Sequence, residues 1–474
     1  FFFLKKKEKK RNYHSDFQKY HGALLMKMKL TTPPLMQSKL LCVSVLYASS
    51  TAFFALYISL QPTKCFFRSS PFDPVQSPLF SYPPSYGEHK YAIPTHRTTC
   101  SSPVKFSDYW LVVKEVEDYC KGANDDTLTL RYASAKLATS DTFGGNFSTE
   151  NRISYFDHSK FTHEIACGFF KPFPISTSDQ IAMERCRGVV VVSAIFNDHD
   201  KIRQPKSIGS KTFEIVCFFM FVDDVTFQGL NNHQLVSTNS MGEHTVGVWR
   251  IVKVSTKTLY KEPAMNGVIP KYLLHRLFPN SKFSIWVDAK LQLLVDPLLL
   301  IHSFVVSKKV DMAISMHPFF VHTMEEAVAT ARWRKWWDAD GLRKQMETYC
   351  ENGMQPWSTK KLPYPSDVPD SALILRKHGG GSNLFSCLMF NELDAFNHRD
   401  QLAFAYVRDK MRGQMMVKMF MFEVEVFEQI AVEYRHNLKA ARQSPMLKRV
   451  SHDSFVNSSK CHTYLLHMWG DSQN

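Results

Sequence analysis

The stretch FSIWVDAKLQLLVDP, residues 283–297, combines the pattern of a buried strand with charged residues at its end. Residues 283–287 are mostly apolar, which is typical of a strand that is covered on both faces. Asp288 follows the strand, and Lys290 comes two positions later. Such a pair indicates a binding site; the alternative is an aspartate that caps the strand end beside a solvated surface lysine.

Three similar runs precede this stretch and predict the fold. They are GVVVVSAIFND (188–198), FEIVCFFMFVDD (213–224) and WRIVKVS (249–255), and helical segments such as NGVIPKYLLHRLF separate the strands. Strands that are apolar on both faces and alternate with helices predict an α/β fold. We expect a mostly parallel, Rossmann-type sheet with helices on both faces.

The polar ends of these strands predict where a ligand binds. In open α/β sheets, ligands bind at the carboxyl ends of the strands. We therefore expect Asp198, Asp223 and Asp288 to lie at one edge of the sheet. No Gly-x-Gly-x-x-Gly motif follows the first strand and no P-loop is present, and GGGS at 379–382 is interpreted as a flexible turn.

Charge and hydropathy predict a membrane anchor. The formal net charge is +14, of which +8 lies in residues 1–40, so the nearly balanced remainder argues against nucleic acid as a partner. Residues 40–60 carry no charge and are long enough to cross a bilayer as a helix. The alternatives are a buried core helix or the apolar part of a signal peptide. Because positive charge precedes the span, we expect a single-pass type II protein with a luminal body.

These features predict the domain organisation. We expect a cytosolic basic tail (1–39), a transmembrane helix (40–60), a Pro/Ser-rich luminal stem (61–153), a folded α/β domain (154–440), for which a family resemblance is given below, and a tail (441–474). The first residue is Phe rather than Met, and we expect Met26 or Met28 to be the true start, with residues 1–25 an artefact of the gene model.

Cysteines and glycosylation sequons are compatible with a luminal body. Of the ten cysteines, Cys167 and Cys186 bracket a loop ahead of the first core strand, and a luminal compartment lets some of the ten pair. The sequence leaves the pairing open. The sequons at Asn146 and Asn457 are short enough to occur by chance.

The segment around Asp288 resembles the centre of nucleotide-sugar glycosyltransferases of the GT-A type. In those enzymes an Asp-x-Asp turn binds a divalent metal on the diphosphate of the donor. Here Lys290 replaces the second aspartate. Lysine cannot coordinate a metal, but its ammonium can contact the phosphates directly, so we expect no certain cofactor and regard Mn²⁺ as doubtful. Asp288 then serves as a catalytic group or orients the ribose and sugar hydroxyls.

The resemblance implies that residues 381–407 form a strand and turn on the acceptor side, followed by a helix. Asp400-Gln401 opens that helix, and we expect a catalytic role for Asp400 and donor binding by Gln401; the alternative is that Asp400 only caps the helix. Asn383 is assigned to the acceptor or diphosphate side.

A third segment, HPFFVHTMEEAVATARWRKWW (317–337), completes the predicted site. Thr323 and Glu326 predict a capping box at a helix start. We assign His317 and Arg332 to the acceptor or diphosphate side. The tryptophans of the segment have helical spacing, which is more typical of a core than of a sugar platform. They are Trp333, Trp336 and Trp337.

The chain as a whole resembles a plant family of mucilage-related hexosyltransferases, which also contains a turgor-related alkaline ceramidase. The blocks that carry the resemblance lie in order between about residues 154 and 440. They include VVVSAIFNDHDKIRQP, VCFFMFVDD, IWVDAKLQL, DSALILRKH, SNLFSCLMFNE and FEVEVFEQIAVEYRHN.

The family resemblance implies a Golgi type II membrane enzyme of the plant cell-wall machinery. We expect it to transfer a hexose or related sugar from a nucleotide sugar to a cell-wall or mucilage polysaccharide. Ceramide hydrolysis is the alternative, with Asp198, His199 and Asp200 as candidate metal ligands, although no paired-histidine motif accompanies them. A non-catalytic member of the fold is a third interpretation.

Overall fold

A computed structural model describes most of the predicted anchor and body of the chain. The described residues are 38–59, 65–70, 72–75, 80–95, 97, 99–122, 130–133, 142–145, 149–157, 164–332, 338–411 and 415–436. Both sequons, the predicted tail 441–474 and the three tryptophans Trp333, Trp336 and Trp337 lie outside these ranges.

Fifteen strands are present in the described part of the chain. They are β1 (Phe66–Arg68), β2 (Val104–Phe106), β3 (Arg131–Tyr132), β4 (Glu164–Ile165), β5 (Val189–Ile195), β6 (Val216–Val222), β7 (Ser237–Thr238), β8 (His244–Val246), β9 (Trp249–Lys253), β10 (Phe283–Val287), β11 (Leu291–Leu293), β12 (Met312–Met316), β13 (Pro369–Lys377), β14 (Met419–Phe422) and β15 (Ala431–Glu433).

Fourteen α-helices are present in the same described residues. They are α1 (Lys39–Ser59), α2 (Tyr109–Lys121), α3 (Thr149–Ser154), α4 (Thr177–Arg185), α5 (Ser210–Ile215), α6 (Asp224–Asn232), α7 (Pro263–Tyr272), α8 (Leu274–Leu277), α9 (Pro297–Ile301), α10 (Thr323–Arg332), α11 (Ala339–Glu351), α12 (Gly380–Ala395), α13 (Asp400–Lys410) and α14 (Val424–Ile430).

Helix α1 belongs to a compact unit that is distinct from the rest of the described chain. It is a 21-residue helix, and its window Lys39–Tyr57 is long and apolar enough to cross a membrane, with a mean hydropathy of 1.7. Its described side chains are exposed, as those of a lipid-facing helix are. This helix coincides with the predicted span at 40–60 within one residue at each end.

The second unit, residues 62–474, is built on a nine-stranded sheet. The strand order is β14-β12-β13-β10-β5-β6-β9-β8-β7. Strands β10, β5, β6 and β9 run parallel to one another, and β12 runs parallel to β14. The carboxyl ends of β5, β6 and β10 therefore lie at one edge of one sheet, as predicted.

The sheet is mixed rather than mostly parallel. Strand β13 runs antiparallel to both β10 and β12, and β7, β8 and β9 pair antiparallel, so four of its eight strand pairs are antiparallel. Strand direction depends on the connection between strands, and the apolar pattern of a doubly covered strand is the same in either direction. The four strands that the sequence predicted, β5, β6, β9 and β10, are parallel to one another, and the antiparallel pairs involve β7, β8 and β13, which it did not predict.

Helices cover both faces of the sheet, as expected. Alternate residues of β5 point to opposite faces, so that Val190 and Val192 belong to one core cluster and Val189 and Val191 to the other. The first cluster includes residues of α7, α10, α11, α12 and α13. The second includes residues of α2, α9 and α14. This double cover explains why the central strands are apolar on both faces.

The described part of residues 61–153 differs from the extended stem that was expected. It contains β1, β2, α2, β3 and α3, and it belongs to the same compact unit as the sheet. Tyr86, Phe106 and Val112 are buried in the cluster that also contains core residues of β5 and β6. The prolines keep the helices and strands of this segment short, which led to the prediction of an extended stem. The aromatic residues between the prolines nevertheless bury apolar surface against the domain.

Disulfide bonds link distant parts of this unit. Cys65 pairs with Cys100, Cys167 with Cys387, and Cys186 with Cys217. Cys350 is also disulfide-bonded. Because Cys167 and Cys387 are 220 residues apart, no spacing in the sequence could have predicted that pair.

Candidate functional site

Asp288 lies at the carboxyl edge shared by β10, β5 and β6. Its backbone N–H donates to the carbonyl of Ala372, and its Oδ1 accepts a 2.6 Å hydrogen bond from Nε1 of Trp286. The side chain is about one quarter exposed. Among the described residues, Oδ2 of Asp288 receives no hydrogen bond, which leaves this oxygen available to a ligand.

Asp400 is held beside Asp288 by α7. Its Oδ2 accepts hydrogen bonds from Nζ of Lys271 at 2.8 Å and from the hydroxyl of Tyr272 at 2.9 Å. Burial raises the pKa of Asp400, but the charge and hydrogen bond of Lys271, together with hydrogen bonds from Ser371 and Tyr272, outweigh burial and lower the pKa overall. Asp400 is therefore an ionised, buried carboxylate.

The side chain of Lys271 connects the two predicted catalytic aspartates. Its Nζ lies 3.6 Å from Oδ1 of Asp288, 2.8 Å from Oδ2 of Asp400 and 3.1 Å from Oγ of Ser371. The contacts to Asp400 and Ser371 are short enough to be hydrogen bonds, whereas the 3.6 Å contact to Asp288 is an ion pair. The predicted pair therefore meets through a lysine that the sequence did not single out.

Lys290 is also surrounded by carboxylates. Its Nζ lies 2.8 Å from Oε1 of Glu433, and its side chain is one fifth exposed. Burial lowers the pKa of Lys290, but the negative charges of Asp370, Glu433 and Asp288 together raise it above the usual value. The residue is a fixed cation, and it already has an ion-pair partner.

Strand β15 crosses beside the Asp288–Lys290 turn. It pairs antiparallel with β11, and the N–H of Tyr434 donates to the carbonyl of Lys290. Nδ1 of His436 lies 3.0 Å from the carboxylate of Asp200. The hydrogen bond that His436 donates to Asp200 raises the pKa of His436. Glu433 and His436 therefore reach the site from the carboxyl-terminal end of the described domain.

Asp223 and Asp198 form a second polar group, at the ends of β6 and β5. Asp223 caps α6: its Oδ1 accepts from the N–H of Thr226, and its Oδ2 accepts from the N–H of Asn197. Asp198 has a positive φ of 49°, and its N–H donates to Oγ1 of Thr226. Both residues lie at the predicted edge, but Asp223 is buried and its hydrogen bonds serve the loop itself.

His317 follows β12 and lies near the Lys290 group. Its Nδ1 accepts from the N–H groups of Phe319 and Phe320, so the proton of the neutral ring is on Nε2, which lies 3.9 Å from Oε2 of Glu326. Burial is the main reason that its pKa falls to about 4, against the opposing charge of Glu326. His317 is therefore neutral near pH 7.

Three other assigned residues have different positions. Gln401 is buried in the first turn of α13, next to Asp400. Asn383 lies in the first turn of α12, just after the end of β13. Because β13 is antiparallel to β10, with Lys377 opposite Phe283, Asn383 lies at the sheet edge away from Asp288. Arg332 ends α10, and its side chain is outside the described part of the chain.

Two local predictions differ from the structure. Residues 381–407 are the helices α12 and α13 with a short connection, not a strand and turn. Most of α12 is buried on all sides, which hides helical periodicity. Helix α10 does start at Thr323, but Glu325 accepts the N–H groups of Val321 and His322, while Glu326 points inward to Arg399. The capping box is therefore absent.

The metal that an Asp-x-Asp turn holds does not fit the residues found here. Lys290 occupies the second ligand position, and its ammonium has no free electron pair. Among the described residues, a single set of three His, Cys, Asp or Glu side chains brings its ligand atoms within 4.8 Å of one another, namely Cys167, His275 and Cys387. That set lies away from the carboxyl edge, and its two sulfurs form a disulfide.

The sequence missed the residues that hold the predicted ones in place. Those at the site are Lys271, Tyr272, Trp286, Asp370, Ser371, Glu433 and His436. Tyr272 and Asp400 are 128 residues apart, and Lys290 and Glu433 are 143 residues apart. No sequence motif marks these residues within their own helix or strand. In the sequence, only the Asp-x-Asp-like position of Lys290 indicated that a site lies here.

The fold and the charged edge define the class of protein. A large α/β domain that collects acidic and basic side chains at the carboxyl edge of its parallel strands has the layout of a ligand-binding or catalytic domain. Comparison of sequences gives the family: residues 129–436 match the TOD1/MUCI70 glycosyltransferase-like domain. The chain belongs to the TOD1/MUCI70 family, which confirms the family resemblance described above.

Two curated relatives from Arabidopsis thaliana carry different names. One, alkaline ceramidase TOD1, is 60% identical over 460 residues, which cover 93% of this chain and 98% of that protein. The other, the probable hexosyltransferase MUCI70, is 39% identical over 288 residues, or 59% of this chain and 48% of that protein. Apo mouse xyloside xylosyltransferase 1 aligns with 49% of this chain and 84% of its own, at 8% identity and a TM-score of 0.27.

Proposed function

We propose that this protein transfers a hexose or related sugar from a nucleotide-sugar donor to a cell-wall or mucilage polysaccharide. The observation that carries the proposal is the joint position of Asp288, Lys290 and Lys271 at the carboxyl edge of the parallel strands. The glycosyltransferase-like domain and the similarity to a probable hexosyltransferase support this chemistry.

In the proposed reaction, the leaving diphosphate meets a fixed positive charge. Breaking the bond between sugar and diphosphate builds negative charge on the phosphate oxygens, and a cation held in place stabilises that charge. Lys290 supplies the cation, and Asp288 directs its free oxygen to the ribose or the sugar hydroxyls. Because Glu433 already binds Lys290, the donor either shares the ammonium with Glu433 or displaces it.

The structure changes the role that we assign to Asp400. Its side chain is buried, and Lys271 and Tyr272 occupy one of its oxygens. A general base must reach the proton that it removes. We therefore propose that Asp400 is the counter-ion of Lys271 and that Asp288 is the carboxylate that contacts substrate.

We place the enzyme in the Golgi membrane as a single-pass type II protein with a luminal catalytic domain. The apolar helix α1, which follows a strongly basic segment, supports this orientation. A luminal compartment also suits the disulfides that join Cys65 to Cys100 and Cys167 to Cys387.

Ceramide hydrolysis is the second candidate, because the relative that is 60% identical is named an alkaline ceramidase. A metal-dependent amide hydrolysis needs about three ligands around an open position. Asp200 and His436 lie 3.0 Å apart, but the described residues bring no third ligand within reach of both. The cleft thus supports the transferase better than this hydrolase.

One experiment separates the candidates. The purified full chain in detergent is given a panel of nucleotide sugars with plant polysaccharides, with and without EDTA, and in parallel a fluorescent ceramide. Nucleotide release that depends on the acceptor supports the transferase, and ceramide turnover without nucleotide release rejects it. Neither activity, in a folded protein, supports a non-catalytic member of the family.

A further inference from the structure

The orientation of Asp288 depends on contacts to one of its two oxygens. Trp286 donates to Oδ1 from its indole Nε1 at 2.6 Å, and Nζ of Lys271 lies 3.6 Å from the same oxygen. The backbone of Asp288 is fixed by the sheet, through the hydrogen bond to the carbonyl of Ala372. Rotation of the carboxylate about its side-chain bonds is therefore restrained by an indole and an ammonium.

Lys271 is itself restrained more firmly than Asp288. Its side chain is largely buried, and its strongest contact is the 2.8 Å ion pair with Asp400. Asp400 is fixed in turn by the hydroxyl of Tyr272, the next residue of α7. Oγ of Ser371 in β13 accepts a further hydrogen bond from the ammonium at 3.1 Å. The ammonium is thus held by Asp400 at the start of α13 and by Ser371 in β13, without any contribution from substrate.

We infer that Lys271 is a positioning residue that holds Asp288 with Oδ2 directed to the substrate. Asp400 is the buried anchor of Lys271, and it does not contact the substrate itself. This inference rests on the proposed function for the part that Asp288 plays in the reaction. The geometry of the three side chains, however, can be tested without any activity.

The difficulty in testing Lys271 is that its loss leaves Asp400 buried without a partner. Breaking a buried ion pair from one side is strongly destabilising, whereas removing both charges together is much less so. The variant of choice is therefore Lys271→Met with Asp400→Asn, in which neither group is charged. A matched control is Arg152→Met with Glu392→Gln, because that pair is also buried, with Nε and Oε1 2.9 Å apart, and lies away from Asp288.

The first readout is spectroscopic and independent of the reaction. With ¹⁵N-labelled tryptophan, the indole N–H signal of Trp286 reports its hydrogen bond to Asp288, and Trp286→Phe assigns the signal. We expect this signal to shift in the Lys271/Asp400 variant, because Oδ1 loses one of its two contacts. The control pair leaves the signal where it is in the wild type.

The second readout is kinetic. Loss of orientation at a reacting group lowers kcat by up to about 100-fold, while donor binding through Lys290 remains, so the donor KM stays within about twofold. A purely structural role of Lys271 predicts changes in stability alone. An unmoved indole signal together with an unchanged kcat, in a variant that melts like the control, overturns the inference.

Failure of the proposed function gives a different result. If the wild type transfers no sugar from any donor, the proposed function is rejected, and the indole signal alone decides whether Lys271 positions Asp288. If the double variant does not fold, Lys271→Gln replaces it, because the amide still offers a donor to Asp400 and carries no charge. An unmoved indole signal in that variant also overturns the inference.

Discussion

Asp288 and Lys290 are separated by one residue, yet their surroundings differ. Asp288 keeps one carboxylate oxygen without a protein donor among the described residues, whereas Lys290 is paired with Glu433 and raised in pKa by three carboxylates. The free oxygen of Asp288 can accept a hydrogen bond from a hydroxyl group of a ligand, and the ammonium of Lys290 can contact a negatively charged group. A nucleotide sugar has both.

The first prediction concerns Lys290. We expect Lys290→Ala to weaken UDP binding by about one to two decades, because a charge-assisted contact to phosphate contributes about 1.5–3 kcal/mol. We expect EDTA to leave wild-type binding unchanged. Lys290→Asp restores the Asp-x-Asp pattern, and we expect it to bind UDP only when Mn²⁺ is added. Calorimetric titration of UDP into the folded variants measures each effect.

Controls for Lys290 come from the same domain. Lys253 lies 3.5 Å from Asp224 and is partly exposed, so Lys253→Ala is expected to change UDP affinity by less than about twofold. Because Asp370 is buried near Lys290, Lys290→Ala is repeated in an Asp370→Asn background to keep the charge balanced. An unchanged isotherm in both backgrounds would show that the ammonium does not contact the diphosphate.

The second prediction concerns His436 and pH. Its pKa is raised by the hydrogen bond to Asp200, so the folded state binds the proton more tightly than the unfolded chain does. The stabilisation is therefore fully present below about pH 6.5 and is lost as the pH rises through the raised pKa. Since His436 is about half exposed, we expect less than about 1 kcal/mol.

The His436 effect is measured as a difference in melting temperature. His436→Gln is expected to lower the melting temperature at mildly acidic pH and to have little effect at alkaline pH, where the wild-type ring is neutral. Asp200→Asn provides the partner control, because it removes the same ion pair from the other side. A penalty that is constant across this pH range would contradict the prediction.

At the scale of elements, the mixed direction of the sheet decides which residues meet. Strand β13 begins at the edge where β10 ends, so Asp370 and Ser371 lie near Asp288, while the other end of β13 sends α12 off the opposite edge. Helix α12 then returns along the sheet, and α13 begins with Asp400 at the site. The antiparallel direction of β13 therefore places Asn383 away from the candidate site and allows Asp400 to lie within it.

The third prediction compares two disulfides. In the chain-entropy model the stabilisation grows with the loop that is closed, so Cys167–Cys387, at 220 residues, stabilises more than Cys65–Cys100, at 35 residues. The chain-entropy relation gives about 5.4 and about 3.8 kcal/mol, a difference of about 1.6 kcal/mol. Urea unfolding of the two double Cys→Ala variants measures it. Equal losses, or the reverse order, would count against loop entropy as the main cause.

At the scale of the whole molecule, the anchor and the sheet domain form separate compact units. The described part of residues 62–153 packs in the second unit, so that this unit, and not residues 154–440 alone, is the folded body. A truncated protein that starts at 154 would lose α2 and the buried residues Tyr86 and Phe106.

The fourth prediction concerns orientation. Because residues 1–40 carry a net charge of +8 and the rest of α1 carries none, we expect the body and the carboxyl terminus in the lumen. In sealed microsomes a carboxyl-terminal tag is expected to resist added protease, and detergent is expected to make it sensitive. A tag that is digested in sealed vesicles would reverse the orientation, while a tag on the amino terminus provides the internal control.

The sequence alone determined the features that depend on local pattern. The length and apolarity of α1, the positions of the buried strands β5, β6, β9 and β10, and the presence of Asp288 and Lys290 at a strand end all follow from residues that are neighbours in the chain. Such patterns predict burial because apolar residues at regular spacing form a face that is stable only when it is removed from water. The sequence blocks that carry the family resemblance are also local, because each consists of consecutive residues.

Only the tertiary structure decided which charges neutralise which. Lys271 meets Asp400 across 129 residues, and Lys290 meets Glu433 across 143, because the reversal at β13 and the return of β15 beside β11 bring these segments together. A lysine that is paired in the fold has the same local pattern as a solvated one. Its role depends on the energy of a contact between distant segments, and sequence spacing does not encode that energy.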